Sequence, residues 1–450
     1  MLWLSRPHIP KPDLPSFSLA RKKSNRQIAQ TPPKKVSIVT QFYPPDYAAT
    51  GQLIEELVNQ LARLGMDIHI FTGQPGYAFQ KSAAPSVESS ENIWIRRSRT
   101  SRMWPRRIRG RAFNGLLFCI RAGLHLLKSA SRGEMLLLTT EPPYLLILGY
   151  LAHLCFGAPY VCLLYDLYPD VAVELNVVPA HHWLVRFWNW LNCLIWKKAS
   201  KVIVLSSTMK ERITAKCPEI EEKIAVIHSW ADPNWIKPID KQDNWFAHEF
   251  NFVDKFTVLY SGNMGRCHDM DTILAAAEQL QNEPIEFVFI GSGAKRQACI
   301  DKARSLNLEN CRFLPYQDKS NLPYSLTACD LSLVSVSSGM EGLVAPSKLY
   351  GILAAGRPVA VICAAGSYLR QLVSEAHCGK AFDNGDGAGL AEFIRGLAAD
   401  SHLAKTLGNS GRRYLQSNFT PEIIARQYLK VLSPAVEHSS TTPSHRIYEN

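Results

Sequence analysis

The chain lacks the cysteine and histidine patterns that mark bound metal or a disulfide framework. Its eleven cysteines are scattered, with no C-x-x-C pair and no matching histidine cluster. That excludes a zinc ribbon or finger, and no spacing suggests a disulfide ladder. Buried thiols in a reducing cytosol are the reading that remains. Long apolar runs are also missing. The one long uncharged stretch, Pro142–Tyr165, is interrupted by Gly149, Gly157 and Pro159. Its helical part, Tyr144–Phe156, falls short of the roughly 20 residues that span a bilayer, so it reads as a buried helix followed by a buried strand. The N-terminus to Lys35 has six prolines and no apolar core of signal-peptide length. It reads as a disordered basic arm and not as an export signal.

Acidic residues are scarce where basic ones concentrate. Residues 96–111 carry eight Arg and no acid, and residues 1–35 have a net charge of +7. The whole chain is +11, so everything outside these two segments sums to −4. The basicity is two local patches, which argues against a general nucleic-acid-binding surface. With 46% hydrophobic and 20% charged residues over 450 positions, the composition is that of a globular protein of two or three domains.

What is present is an alternation of short apolar β-branched runs with longer amphipathic ones. Val36–Gln41, Asp67–Thr72, Met135–Thr140, Tyr160–Leu164 and Lys201–Leu205 read as strands, and Gly51–Leu64 reads as a helix with one apolar face. The pattern restarts at Thr257–Tyr260 and continues through Asp271–Gln281 (a helix), Glu286–Ile290, Cys311–Leu314, Asp330–Val334 and Pro358–Ile362. Between the two sets lies Ser229–Phe246, rich in Trp, Pro and Asp, which reads as an interdomain linker. Uninterrupted apolar strands alternating with helices imply parallel sheets covered on both faces. The expectation is two doubly wound α/β domains, 36–230 and 245–410, facing across a cleft lined by strand-end loops.

Four loops stand out. The first runs from Tyr43 to Gly51, between a strand and a helix, where a helix start offers N–H groups to an anion. The second is Tyr260–Arg266 (YSGNMGR), with two glycines and a fixed cation. It is neither the G-x-G-x-x-G fingerprint nor a P-loop. The third, Gly339–Leu349, brings Ser347 and Lys348 to a helix start, which suits a diphosphate; Ser347 as a plain N-cap is the alternative. The fourth, Tyr165–Asp170, holds two carboxylates four apart. These could orient a hydroxyl, or Asp166 could simply close a turn. Two acids alone do not make a metal site, and none is expected.

With these segments placed, the chain resembles the retaining GT-B glycosyltransferases of family 4, and most of all the bacterial branch acting on cell-surface polysaccharides (colanic-acid and fucosaminyl type). The likeness is carried by residues 41–65, 139–152, 163–170, 260–274, 287–296, 312–317 and 345–359 and extends over about 36–435. The last of these, APSKLYGILAAGRPV, is the most specific. The resemblance implies a nucleotide-diphosphate sugar donor, metal-independent chemistry and no cofactor. It implies that Gly51, Gly262, Asn263 and Arg266 hold the donor phosphates, that Gly291 and Gly293 line the nucleotide site, and that Leu314–Tyr316 meet the base. Glu341, Pro346, Ser347 and Lys348 would complete the donor site, and Asp166 would stand near the acceptor. Residues 411–435 would cross back to the first domain, and 436–450 would form a disordered tail. Two family glutamates are missing: their aligned positions are Leu343 and Gly351. His268 reads as a surface residue.

A retaining transfer by front-face attack is implied, with Arg266 and Lys348 stabilising the leaving diphosphate. The acceptor is expected to be lipid-linked and the protein to bind the anionic inner face of the plasma membrane from the cytoplasm. Trp183, Phe187, Trp188, Trp190, Leu191, Ile195 and Trp196, with Arg186, Lys197 and Lys198, and the Arg run with Trp104 suit such a surface. The helix could equally be core, and the Arg run a solvated loop or an RNA patch. The alternatives to a transferase are a non-catalytic, membrane-associated relative, or a sugar synthase or phosphorylase on the same fold.

Overall fold

A computed structural model describes residues 35–46, 48–75, 84–99, 108–128 and 134–433, with the side chains of 108, 109, 111 and 112 left out. The expected basic arm (apart from Lys35), the 436–450 tail and Trp104 lie outside these residues.

The first half comprises β1 (Lys35–Val39), α1 (Ala49–Arg63), β2 (Asp67–Thr72), β3 (Val87–Ser90), β4 (Ile93–Arg97), α2 (Ile108–Lys128), β5 (Met135–Thr139), α3 (Leu146–Phe156), β6 (Tyr160–Leu164), α4 (Asp170–Glu174), α5 (Trp183–Lys198), β7 (Lys201–Val204), α6 (Ser207–Lys216) and β8 (Ile224–Val226). The second comprises α7 (Trp245–Glu249), β9 (Phe256–Ser261), α8 (Asp271–Gln279), β10 (Ile285–Ile290), α9 (Arg296–Ser305), β11 (Cys311–Leu314), α10 (Leu322–Thr327), β12 (Leu331–Ser335), α11 (Lys348–Ala354), β13 (Val359–Ile362), α12 (Tyr368–Ala376), β14 (Gly379–Phe382), α13 (Gly387–Ala399), α14 (Ser401–Asn418) and α15 (Pro421–Leu432).

The strands form two sheets, in the orders β3-β4-β2-β1-β5-β6-β7-β8 and β11-β10-β9-β12-β13-β14. All pairs are parallel except the edge pair β3–β4. β5, β6 and β10 are buried at every residue. Helices cover both faces of such a sheet, which is why these strands carry no polar alternation. The two doubly wound domains expected from the alternation are present. The β3–β4 hairpin is short, with a mostly polar β3, and α2 is apolar nearly all round. Neither shows the periodicity that marked the other elements.

In each sheet the strand order reverses beside the strand that begins the winding. The reversal lies between β1 and β5 in one sheet and between β9 and β12 in the other. Loops beyond these carboxyl ends diverge and leave a crevice. The segment between the sheets is packed, not loose. Trp230, Ile236 and Phe246 belong to a hydrophobic core that reaches from the first sheet to α11, α12 and α15. The Trp230 indole donates to Glu56 Oε2 at 3.0 Å. α15 returns to pack against α1.

Candidate active site

The second wall is built from glycine. Beyond β9 and β10 the chain takes left-handed backbone at Gly262 (φ 125°), Gly291 (φ 133°) and Gly293 (φ 142°). A Cβ on Gly291 would lie 2.1 Å from the Gly262 carbonyl oxygen, and one on Gly293 would lie 2.5 Å from Asn263 Oδ1. The two loops are held edge to edge by Gly262 N–H to Ile290 O (2.8 Å) and Met264 N–H to Ser292 O (2.7 Å). Only glycine permits this approach and this backbone together.

Lys348 opens α11 and points back under that wall. Its Nζ is buried without a hydrogen-bond partner and lies 3.7 Å from the centre of the Tyr260 ring. A Cβ on Gly262 would be 3.7 Å from the same nitrogen. Burial pulls the ammonium down to about 7. An unpaired buried cation is costly unless a counter-charge meets it. Ser347 precedes it with helical backbone and makes no side-chain cap, so the plain N-cap alternative does not hold.

His268 is not a surface residue. It is half-buried, with Nδ1 2.7 Å from Ser335 O and its ring edge-on to Tyr260. Burial, with Lys348 as a secondary cause, lowers it to about 3, so it is a neutral imidazole. Arg266 and Asn263 are exposed on the same loop. Tyr316 follows β11 and is 57% exposed. Pro346 is buried, whereas Glu341 is half-buried and accepts weakly from Ala364 N–H at 3.4 Å. Leu343 is wholly buried and Gly351 lies inside α11, so neither position offers a polar group to a ligand.

The loop between β12 and α11 bridges to the first wall. Arg212 Nη2 donates to Gly339 O at 3.1 Å, and Leu167 N–H donates to Leu343 O at 3.0 Å. The fold thereby brings the Asp166 loop beside the segment leading to Lys348. The Asp166–Asp170 pair does not act together, because Asp170 is salt-bridged to Lys216. Burial raises the Asp166 carboxyl to about 6. Asp166 and Glu141, which lies two residues beyond β5, are close enough to interact electrostatically. Glu141 Oε2 accepts from Thr50 Oγ1 at 2.5 Å, and burial lifts this carboxyl to about 7, with smaller contributions from Asp166 and Asp46. Gly51 sits one residue beyond Thr50, in the first turn of α1. There a Cβ would be 3.1 Å from the Phe42 carbonyl carbon, and Ala48 offers no side-chain cap. Glu141 carries no signal of a site in its own sequence beyond its place two residues after the mostly apolar β5.

Glu141 gives a test of this electrostatic picture. Below its ordinary value near 4.5 the carboxyl is protonated in both folded and unfolded chains and costs nothing. Between about 4.5 and 7 the folded chain loses stability as pH rises, because the unfolded chain ionises there while burial keeps the folded carboxyl neutral, and above about 7 the full cost of the buried charge is present. Glu141→Gln should therefore raise Tm at about pH 8, by on the order of 1–3 kcal/mol in stability, and change little at about pH 4. Thermal unfolding at both pH values reads this out. An equal shift at both would mean that charge burial is not the cause.

Two membrane-related expectations need correction. Arg97 belongs to the basic run but is buried, paired with Glu88 at 2.9 Å and donating to Pro44 O at 2.7 Å. It holds the β3–β4 hairpin to the first loop. The Trp-rich helix α5 divides by face: Ile195 and Trp196 are core, whereas Trp183, Phe187 and Trp190 are exposed. No helix among the described residues is long and apolar enough to cross a membrane. Nor does any group of three or more His, Cys, Asp or Glu among them converge as metal ligands would.

Comparison with known proteins agrees with this architecture. Residues 50–235 match the family model "Glycosyltransferase Family 4", and residues 241–414 match "Glycosyl transferases group 1". The chain is 25% identical over 409 residues to "Probable glycosyltransferase WbjE" of Pseudomonas aeruginosa, covering 90% of this chain and 99% of that one. It is 31% identical over 160 residues to "Putative colanic acid biosynthesis glycosyl transferase WcaI" of Escherichia coli K12, covering 34% and 39%. Among solved structures, sucrose-phosphate synthase of Thermosynechococcus elongatus superposes with a TM-score of 0.70 at 19% identity, covering 88% and 98%. Anabaena Alr3699/HepE, solved with UDP and glucose, superposes with a TM-score of 0.66 at 15% identity, covering 89% and 100%. Two glycosyltransferase domains in tandem make this chain a transferase enzyme of GT-B fold.

Proposed function

We propose that the enzyme moves a sugar, with retention, from a nucleotide-diphosphate donor to a lipid-linked acceptor at the anionic inner face of the plasma membrane, in the building of a bacterial cell-surface polysaccharide. The observation that carries the donor half is the buried, unpartnered Lys348 nitrogen behind the Gly262 and Gly291 loops. HepE, of the same fold, was solved with UDP and glucose. The similarity to WcaI, a putative colanic acid biosynthesis glycosyl transferase, supports the polysaccharide context.

As the glycosidic bond breaks, negative charge develops on the departing diphosphate. A cation and backbone N–H groups already aimed at that position stabilise it without reorganisation. In this reading Lys348 supplies the charge from beneath. Arg266 and Asn263 close over the phosphates from the exposed side, and Gly51 approaches from the first wall. Ser347 and Pro346 set the start of α11, Gly293 and Tyr316 line the nucleoside end, and Glu341 is left as the acid nearest the missing glutamate positions. Asp166 and Glu141 face the acceptor. A carboxyl raised to about 7, as at Glu141, is neutral about half of the time near pH 7 and can bind a hydroxyl without repelling the diphosphate, whereas Asp166, raised to about 6, is mostly ionised there and can accept a hydrogen bond from a hydroxyl. The leaving phosphate itself takes the acceptor proton. The buried Leu343, standing where a family acid would be, favours a non-catalytic relative as the second reading. Calorimetric titration with UDP and GDP separates the two. Saturable binding of one nucleotide supports the transferase, and binding of neither overturns it.

A further inference from the structure

The outer side of a helix that covers a sheet is ordinarily its charged side. α2 breaks that rule. Phe118, Cys119, Ala122 and Leu126 face inward and are buried, yet Leu116, Ile120, Leu124 and Leu127 recur at three- and four-residue spacing and are each about half exposed. α3 exposes Leu151 and Leu154 in the same way. α3 packs against both α2 and α5. All three helices lead rightward in the strand order, so right-handed crossovers put them on one face of the first sheet. The exposed aromatic stripe of α5 extends that apolar surface. By contrast, α8, α9, α12 and α13 around the second sheet expose no large apolar side chain.

Charge identifies the partner. None of the three helices contains an Asp or Glu, while Lys128, Arg186 and Lys198 belong to them. Lys197, at the end of α5, is already paired with Glu219. A second copy docked by twofold symmetry would set this basic, acid-free face against itself. An anionic lipid surface complements it, with headgroups meeting the cations and the apolar side chains entering the acyl boundary. We infer that α2, α3 and α5 form a membrane-docking face that lies flat on an anionic bilayer. This deepens the lipid-linked-acceptor reading and rests on it for its purpose.

The face is fixed to the acceptor side of the cleft at two points. A Cβ on Gly115 of α2 would lie 2.5 Å from the Tyr144 hydroxyl oxygen and 3.0 Å from Pro142 Cβ, so α2 sits directly on the loop that follows Glu141. Asn192 of α5 donates Nδ2 to Tyr168 O at 2.7 Å, in the Asp166 loop. A saccharide whose lipid stays in the bilayer would thus present its head at the two raised carboxyls.

Flotation of the full-length protein with vesicles tests the docking without donor or acceptor, so its failure is distinct from failure of sugar transfer. The protein should float with equal phosphatidylcholine and phosphatidylglycerol, float less as salt is added, and remain behind with phosphatidylcholine alone. The combined variant Ile120→Ser/Leu124→Ser/Trp190→Ser should bind at least about tenfold more weakly while keeping its circular dichroism and nucleotide titration. Independently, wild-type tryptophan fluorescence should shift to the blue on the mixed vesicles, and Trp183→Phe/Trp190→Phe should lose the shift. Unchanged binding by the serine variant, indifference of the wild type to the mixed vesicles, or a lipid-free dimer that the serine variant dissolves would each overturn the assignment.

Discussion

Lys348→Met should unfold at a higher temperature than the wild-type chain and turn over donor at least about a hundredfold more slowly. The two effects share one cause. In the free protein the ammonium is buried against Tyr260 and the glycine loops with no hydrogen-bond partner, and burial lowers it to about 7. Holding a charge there costs stability, and an apolar side chain of similar shape removes that cost, a gain on the order of 1–4 kcal/mol. The sign follows from linkage. The folded chain releases this proton near pH 7, whereas the unfolded chain keeps it to an ordinary lysine value. The gain from Lys348→Met is therefore largest below pH 7 and fades as pH climbs above it. Turnover moves the other way, because one preorganised donor at a developing anion is worth roughly 3–4 kcal/mol. Thermal melts across pH and steady-state assay of the same variant check both halves. A variant that is destabilised, or that transfers sugar at a normal rate, would break the link between strain and function.

Gly291→Ala should abolish donor binding and destabilise the second domain. The added methyl carbon would overlap the Gly262 carbonyl oxygen at 2.1 Å, and the backbone there has φ 133°, which L-residues with a Cβ rarely adopt. Strained backbone alone costs on the order of 1–3 kcal/mol, and the overlap forces the two loops apart. Gly366→Ala is the control, since a Cβ there meets nothing within 4 Å. Denaturant unfolding with a nucleotide titration reads the contrast. A Gly291→Ala protein that binds UDP or GDP normally would mean that the contact between the loops does not shape the site.

Much of the fold could be read from the chain because its parallel strands are covered on both sides and so appear as unbroken apolar runs. The Gly262, Gly291 and Gly293 loops were legible for a related reason: glycines directly after such runs mark close backbone approaches. What stayed hidden depends on distant packing. Lysine is nearly always a surface residue, and nothing near Lys348 in sequence reveals that Tyr260, 88 positions earlier, will lie beneath its nitrogen. His268 reads as exposed until Ser335 O is seen to receive it. Glu141 finds Thr50 only once β1 and β5 pair. Arg97 looked like one member of a basic run because its partner Glu88 lies across a hairpin with weak strand periodicity. α2 gave no amphipathic signal because both its sides are apolar, the property that sets it apart in the folded chain.

The measurement that bears most directly on the donor site is a calorimetric titration of UDP and GDP at about pH 8, in two buffers of different ionisation heat, on wild type and Lys348→Met. A diphosphate beside Lys348 restores its charge, so wild-type binding should take up about one proton, and the variant should bind more weakly with no such uptake. Tight nucleotide binding whose proton count and affinity are the same in both proteins would contradict the account.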